Sequence, residues 1–190
     1  MMSDFFADTT FLKKDFRQKR LPEADYENCT FQDCLFQEGF LDNQRFVECQ
    51  FINCNLTNVN ITYTQFNDVV FENCKLVGIH FETCDPLLLK LSFKGSNLSL
   101  ASFYEMELPN THFNECKLHQ VDFSLSNLSK CSFSASDLKG TVFDGTNLSG
   151  AHFSTAFNFT IDPTRNTIKK AQFSSNGLMG LLKKYDIVIV

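Results

Sequence analysis

The chain has 190 residues, enough for one domain with a sizeable core, and it carries 22 Phe against 4 Tyr and no Trp. A generic core mixes its side chains, so this bias points to one flat apolar shape packed many times over. The formal net charge of −5 argues against direct binding to nucleic-acid phosphates, which needs a basic surface, and no apolar run is long enough to span a bilayer.

Residues 1–23 contain no signal-peptide core, because Lys13, Lys14, Arg17, Lys19 and Arg20 interrupt the apolar residues. The cytoplasm is the expected compartment. Phe6, Phe11, Phe16 and Leu21 recur every fifth residue. Two positions before Phe16 and Leu21 stand Lys14 and Lys19, where a packed coil would want small side chains. The segment is therefore expected to cap whatever the next residues build.

From Tyr26 the five-residue beat is unbroken: Tyr26, Phe31, Phe36, Leu41, Phe46, Phe51, Leu56, Ile61, Phe66, Phe71, Leu76 and Phe81. Two residues before each of these centres the side chain is usually small, as at Cys29, Cys34, Gly39, Cys49, Cys54, Val59, Thr64, Val69 and Cys74, with Gln44 a larger exception. A period of five fits neither a helix nor a flat strand. It fits a chain that turns a corner every five residues, so that four corners close one coil. The centre and the small residue then point inward and the other three positions outward. This stretch is also the acidic one, with ten acids against two bases between residues 24 and 85. Such a bias suits a basic partner surface or plain solubility.

All eight cysteines (Cys29, Cys34, Cys49, Cys54, Cys74, Cys84, Cys116 and Cys131) fall on the small inward register. They read as small buried hydrophobes and not as zinc ligands or nucleophiles. Stacked neighbours in register keep their Cβ atoms about 4.8 Å apart, beyond the usual disulfide span.

The beat slips by two in the run Cys84–Phe93, around Pro86, and resumes as Phe93, Leu98, Phe103, Leu108, Phe113, Leu118, Phe123, Leu128, Phe133, Leu138, Phe143, Leu148 and Phe153. A two-residue bulge is expected there. Residues twenty apart share a column, so Phe93, Phe113, Phe133 and Phe153 stack on one side, Phe103, Phe123 and Phe143 on the opposite side, and the leucines on the other two. With Phe31, Phe51 and Phe71 these phenylalanines are the expected structural core. Twenty-five repeats give a little over six coils, a rod of roughly 30 Å at sheet spacing.

After residue 156 the beat decays. Ser174 or Ser175 can cap a short helix in which Leu178, Leu181, Leu182 and Tyr185 share one face, with Lys183 and Lys184 at its C-terminal end. Ile187, Val188, Ile189 and Val190 form an apolar tail. Helix and tail are expected either to cap the last coil or to join two copies, and the seven residues Leu178, Leu181, Leu182, Tyr185, Ile187, Val188 and Ile189 are the expected homodimer contacts. Three segments result: a cap over 1–23, a repeat body over 24–156, and a C-terminal cap, helix and tail over 157–190.

The strings NLSGAHFS and DLKGTVFDGTNLSGA resemble the consensus of the pentapeptide-repeat family, over about residues 24–156. The resemblance implies an all-β, right-handed quadrilateral parallel β-helix with a short C-terminal α-helix. Within the family, GLLKKYDIVIV and ADYENCTFQDCLF resemble the Qnr and MfpA type. That likeness implies a dimer whose rod copies the size and negative charge of DNA, occupies gyrase or topoisomerase IV, and modulates quinolone susceptibility.

No catalytic constellation, metal site or cofactor loop stands out, and a filled interior leaves no pocket for a ligand. The expectation is a non-enzymatic protein-binding scaffold that uses no cofactor. Its alternative is the DNA-mimicking topoisomerase binder. The candidate partner face carries the outward apolar residues Phe40, Tyr63, Tyr104, Leu125 and Val142, which flank the column of Leu41, Ile61, Phe103, Phe123 and Phe143.

Overall fold

A computed structural model describes residues 4–188. Its strands are short, as a corner every five residues requires. They are β1 (Asp4–Ala7), β2 (Thr10–Leu12), β3 (Ala24–Glu27), β4 (Thr30–Gln32), β5 (Arg45–Val47), β6 (Gln50–Ile52), β7 (Gln65–Asn67), β8 (Val69–Glu72), β9 (Leu91–Lys94), β10 (His112–Asn114), β11 (His152–Phe153) and β12 (Gln172–Phe173). All pairings are parallel. One sheet runs β1-β3-β5-β7, a second β2-β4-β6-β8-β9-β10, and β11 pairs with β12. The register is twenty residues, as in Phe31 against Phe51. At the slip it becomes twenty-two, with Phe71 against Phe93. The faces without strands are held by single parallel bridges such as Asn97–Lys117 and Asp122–Val142. The chain is a four-sided parallel β-solenoid.

The solenoid is longer than six coils. At its start, β1 and β2 pair with β3 and β4, and Phe6 stacks on Tyr26 at 5.2 Å. At its end, β12 pairs with β11 and Phe173 stacks on Phe153 at 5.2 Å. One ladder of nearly parallel rings runs unbroken through Phe11, Phe31, Phe51, Phe71, Phe93, Phe113, Phe133, Phe153 and Phe173, with centroids 4.7–5.5 Å apart. Its eight steps span about 38 Å at sheet spacing. A second ladder runs Phe81, Phe103, Phe123 and Phe143 on the opposite side, its rings meeting the first edge to face, as Phe113 meets Phe123 at 5.3 Å. Stacking along the axis and edge contacts across it are the two favourable aromatic geometries.

The inward small register does more than fill space. Its hydroxyls and thiols reach across the corner to the carbonyl of the preceding face's centre residue, one coil earlier. Thr64 Oγ1 donates to the Leu41 carbonyl at 2.7 Å, Cys74 Sγ to Phe51 at 3.3 Å, Ser136 Oγ to Phe113 at 2.6 Å and Thr146 Oγ1 to Phe123 at 2.8 Å. A buried carbonyl without a partner is costly, which accounts for Cys, Ser and Thr at places where Ala or Gly would also fit. Gln44, the outsized member of the register, is fully buried; it accepts the Ala24 N–H at 2.9 Å and reaches the Leu21 carbonyl at 3.5 Å. All eight cysteines are buried with free thiols, and burial pushes the Cys116 and Cys131 thiols up to about 12. Thiols held in that state are poor nucleophiles.

Most corners put the second residue after the centre at positive φ. In the first half that position is rich in Asn and Asp, including Asn28, Asp33, Asn43, Asn53, Asn58, Asp68 and Asn73, and later in Gly140, Gly145 and Gly150. These are the residues that adopt a left-handed backbone most cheaply. The two extra residues at the slip form a turn over 86–89, in which the Leu87 N–H donates to Asp85 Oδ1 at 2.8 Å and Leu87 and Leu88 face solvent.

The C-terminal helix is shorter than the sequence suggests: α1 (Met179–Leu182) is flanked by 3-10 turns over 176–178 and 183–185. Ser174 is the residue that caps it, its Oγ accepting the Gly177 N–H at 3.1 Å. The seat of the helix also differs from expectation. Glycines face the last coil, not a row of leucines: a Cβ on Gly180 would fall 2.6 Å from the Phe159 ring, and the Gly180 carbonyl accepts the Ile161 N–H at 3.0 Å. Leu181 packs on the core edge, whereas Leu178 is exposed. Lys184 turns back to Asp162 and Thr164 in place of the helix end, and its ammonium holds the Asp162 carboxyl down at about 2.

Candidate partner-binding surface

The expected core residues Phe31, Phe51, Phe71, Phe93, Phe103, Phe113, Phe123, Phe133, Phe143 and Phe153 are all buried. The interior is therefore occupied, and the chemistry open to a partner lies on the four faces and at the two ends. Among the described residues no group of three His, Cys, Asp or Glu could hold a metal ion, and no helix is long and apolar enough to cross a membrane.

Phe40, Tyr63, Tyr104, Leu125 and Val142 all lie outward on one face, the one whose inward column is Leu21, Leu41, Ile61, Phe81, Phe103, Phe123 and Phe143. Phe40 bridges to Asn60, and His80, Ser102, Asp122 and Val142 continue the same column across the slip. The five apolar groups do not form one continuous patch. Polar groups separate them, among them His80, Glu82, Glu105, Asp122 and Asp144.

Two of the five stand out physically. Tyr63 has φ +58° and is 71% exposed, and Leu125 has φ +59° and is 52% exposed. Each holds a large side chain on a left-handed corner, at a cost of about 1–2 kcal/mol for the backbone, and neither recovers it by burial. Sequence reading missed two more of this kind. Leu100 (φ +63°) borders the same face at its other corner, and Leu88 (φ +57°) sits in the turn at the slip. Their signal was available: a leucine where the five-residue pattern elsewhere mostly has a polar residue or Gly.

Charge is concentrated on this face too. From Arg20 to Gly145 its outward positions hold one arginine against Glu23, Asp42, Glu82, Glu105, Asp122 and Asp144, a net −5 that equals the net charge of the whole chain. The remaining positions cancel.

At the C-terminal end, a cleft of about 780 Å³ lies between the last coil and the helix, lined in part by Phe157, Phe159, Met179, Leu182 and Ile187. Of the expected dimer residues, Leu178, Tyr185, Ile187 and Val188 are exposed and Leu181 and Leu182 are half-buried, while Ile189 lies outside the described residues.

A model of pentapeptide repeats matches in eight copies over residues 24–62 and 126–156. Over those two stretches the chain carries pentapeptide repeats. As a solenoid it is similar to solved structures of QnrB1, described as a plasmid-mediated fluoroquinolone resistance protein. The full-length QnrB1 structure aligns at TM-score 0.60 and 18% identity, covering 97% of this chain and 100% of that one. A trypsin-treated form aligns at 0.64 and 14%, covering 98% and 100%. At these identities the likeness is one of fold. No curated protein matches the chain in sequence.

Proposed function

We propose that this protein is a non-enzymatic rod that binds a protein partner through the face bearing Phe40, Tyr63, Tyr104, Leu125 and Val142. The observation that carries the reading is the backbone at Tyr63 and Leu125. Large apolar groups kept exposed on left-handed corners cost stability in the free protein, and strain of that kind is characteristic of functional positions. Aromatic side chains on such a face are the groups that dominate interface energies once desolvated.

A second reading makes the same face a DNA mimic that engages a type II topoisomerase such as gyrase. It is favoured by the net −5 on one long face and by the fold shared with a fluoroquinolone resistance protein. In either reading two copies join through their C-terminal ends, the Ile187–Val190 tail of one entering the cleft beside α1 of the other. A two-fold axis would make both contacts at once.

One photocrosslinking experiment addresses all three statements. A crosslinking amino acid replaces Leu125 on the proposed face, Ser134 on the opposite face, or Ile187 at the tail. The expected result is a discrete heterologous adduct from 125, none from 134, and a self-adduct of twice the chain mass from 187. Adducts of equal yield from 125 and 134 would contradict the face, and a monomeric 187 variant would contradict the dimer. Purified gyrase offered as the sole partner decides the second reading, which requires an adduct from 125 and altered supercoiling in the presence of a fluoroquinolone.

A further inference from the structure

A second cleft, of about 520 Å³, opens on the face of the long phenylalanine ladder, opposite the proposed protein-binding face. His112, Ser132 and His152 stand in one outward column, each joined to the next by a parallel bridge. The Phe113 N–H donates to the Ser132 carbonyl at 2.7 Å and the Phe133 N–H to the His152 carbonyl at 3.0 Å, so the three are held in register. A short serine between two imidazoles makes a notch whose walls stand two coils apart, about 9.6 Å at sheet spacing. Asn114 and Ser134 line it from the next column, and Lys130 from the corner before Ser132.

The lining is rich in donors and contains no carboxylate. Glu115, the one acid at the outward positions of this face beyond Phe93, does not line the notch. Ser132 Oγ donates to Asn114 Oδ1 at 2.8 Å, which occupies the acceptor end of that amide inside the protein and leaves its Nδ2 hydrogens for a ligand. The two histidines also differ from the others in the chain. His80 meets Glu82 at 2.9 Å and His119 meets Asp137 at 2.7 Å, just as Lys90, Lys94 and Lys184 each meet an acid. Among the described residues His112, His152 and Lys130 take part in no such pair.

We infer that this cleft binds a phosphate oxyanion, either inorganic phosphate or the phosphoryl group of a small phosphate ester. An imidazole donates an N–H in either tautomer and carries a charge when protonated, and charge-assisted hydrogen bonds to oxyanions are the strong ones. A metal ion fits poorly. Ligand bonds of about 2 Å would need the two ring nitrogens within about 4 Å of each other, whereas two coils separate these side chains. A tetrahedral oxyanion bridges a wider gap, because its own width adds to hydrogen bonds of about 2.8 Å on either side. The ligand is a small molecule and not a modified protein: among the described residues, the outward positions of this face beyond Phe93 carry no exposed large apolar group with which to hold a protein. The site is independent of the protein-binding reading of the opposite face.

The test follows the imidazole proton–carbon signals of the full chain by NMR. The chain is titrated with sodium phosphate and, separately, with glycerol phosphate, at fixed pH and with ionic strength held constant by sodium chloride. The expected result is saturable shifts at His112 and His152, with His80 and His119 unmoved. His112→Gln, read at His152, and Lys130→Gln, read at both imidazoles, should each weaken phosphate binding by about tenfold, which is what one charge-assisted hydrogen bond contributes. Both residues are exposed, so both variants should keep the amide spectrum of the folded chain. His119→Gln, on the neighbouring face, should leave the affinity unchanged. Tighter binding of the ester assigns a phosphate ester as the ligand, and equal or weaker binding assigns phosphate itself; either supports the site. Shifts that do not saturate, equal shifts at all four imidazoles, affinities unaltered in both His112→Gln and Lys130→Gln, or an equal loss in His119→Gln would each overturn it.

Discussion

Phe123→Ala is expected to cost about 3–5 kcal/mol of stability, as truncation of a fully buried phenylalanine does when its surroundings cannot collapse. Phe123 is stacked on both sides, at 5.1 Å from Phe103 and 5.6 Å from Phe143, and meets the rings of Phe113 and Phe133 edge-on at 5.3 and 6.0 Å. Those neighbours are fixed by backbone pairing above and below, so a cavity there has no route to close. The adjacent outward Ser124 provides the contrast: Ser124→Ala should change stability by less than about 0.5 kcal/mol. Urea unfolding of the two variants measures both values, and equal costs would refute the division between inward and outward positions.

Asn166→Leu is expected to cost about 3 kcal/mol or more, although leucine has a similar size. Asn166 is buried in the last coil, where its Oδ1 accepts the Thr146 N–H at 2.9 Å and its Nδ2 donates to the Phe143 and Asp162 carbonyls at 2.9 and 3.0 Å. Leucine would leave the Thr146 N–H and the Phe143 carbonyl without partners, at about 1–3 kcal/mol for each buried group, while the Asp162 carbonyl keeps the Arg165 N–H at 3.2 Å. A terminal coil touches only one neighbour, so the loss should appear first as faster amide exchange in residues 140–173, before the N-terminal half is affected. Exposed Thr167→Ala, one residue away, should leave the exchange pattern unchanged. A stable Asn166→Leu variant would mean that these hydrogen bonds contribute little.

Asn166 also marks where the sequence stops being readable. Between Tyr26 and Phe153 one column repeats with such regularity that the coil, its four sides and its aromatic ladders can be placed from spacing alone. Beyond Phe153 the solenoid continues, but its signal changes. Phe157 turns outward, Phe159 turns inward beneath α1, and Asn166 stands on the inward register as a hydrogen-bonding arm. Gly180 seats the helix by lacking a side chain, and an absent side chain leaves no periodic mark.

The candidate face was legible in part. Phe40, Tyr63, Tyr104, Leu125 and Val142 could be assigned to one side because the inward column fixes what is outward. The left-handed backbone at Tyr63 and Leu125 does not follow from the period, which says only which way a side chain points; its trace in the sequence is a large apolar residue at a corner position that is mostly polar or Gly elsewhere. The function of the inward Cys, Ser and Thr as donors to the previous coil was likewise hidden, since smallness alone accounts for their spacing.

The central claim is that the outward apolar residues of this face serve a partner and not the fold. Its most direct test is one chain carrying Phe40→Asn, Tyr63→Asn, Tyr104→Ser, Leu125→Asn and Val142→Thr together, measured by urea unfolding and as an unlabelled competitor against the crosslinker at position 125. Asparagine adopts the left-handed corner more cheaply than tyrosine or leucine. The account therefore predicts an unfolding midpoint equal to or above that of the native sequence, together with loss of competition for the captured partner. A variant destabilised by more than about 2 kcal/mol, or one that still competes fully, would contradict it.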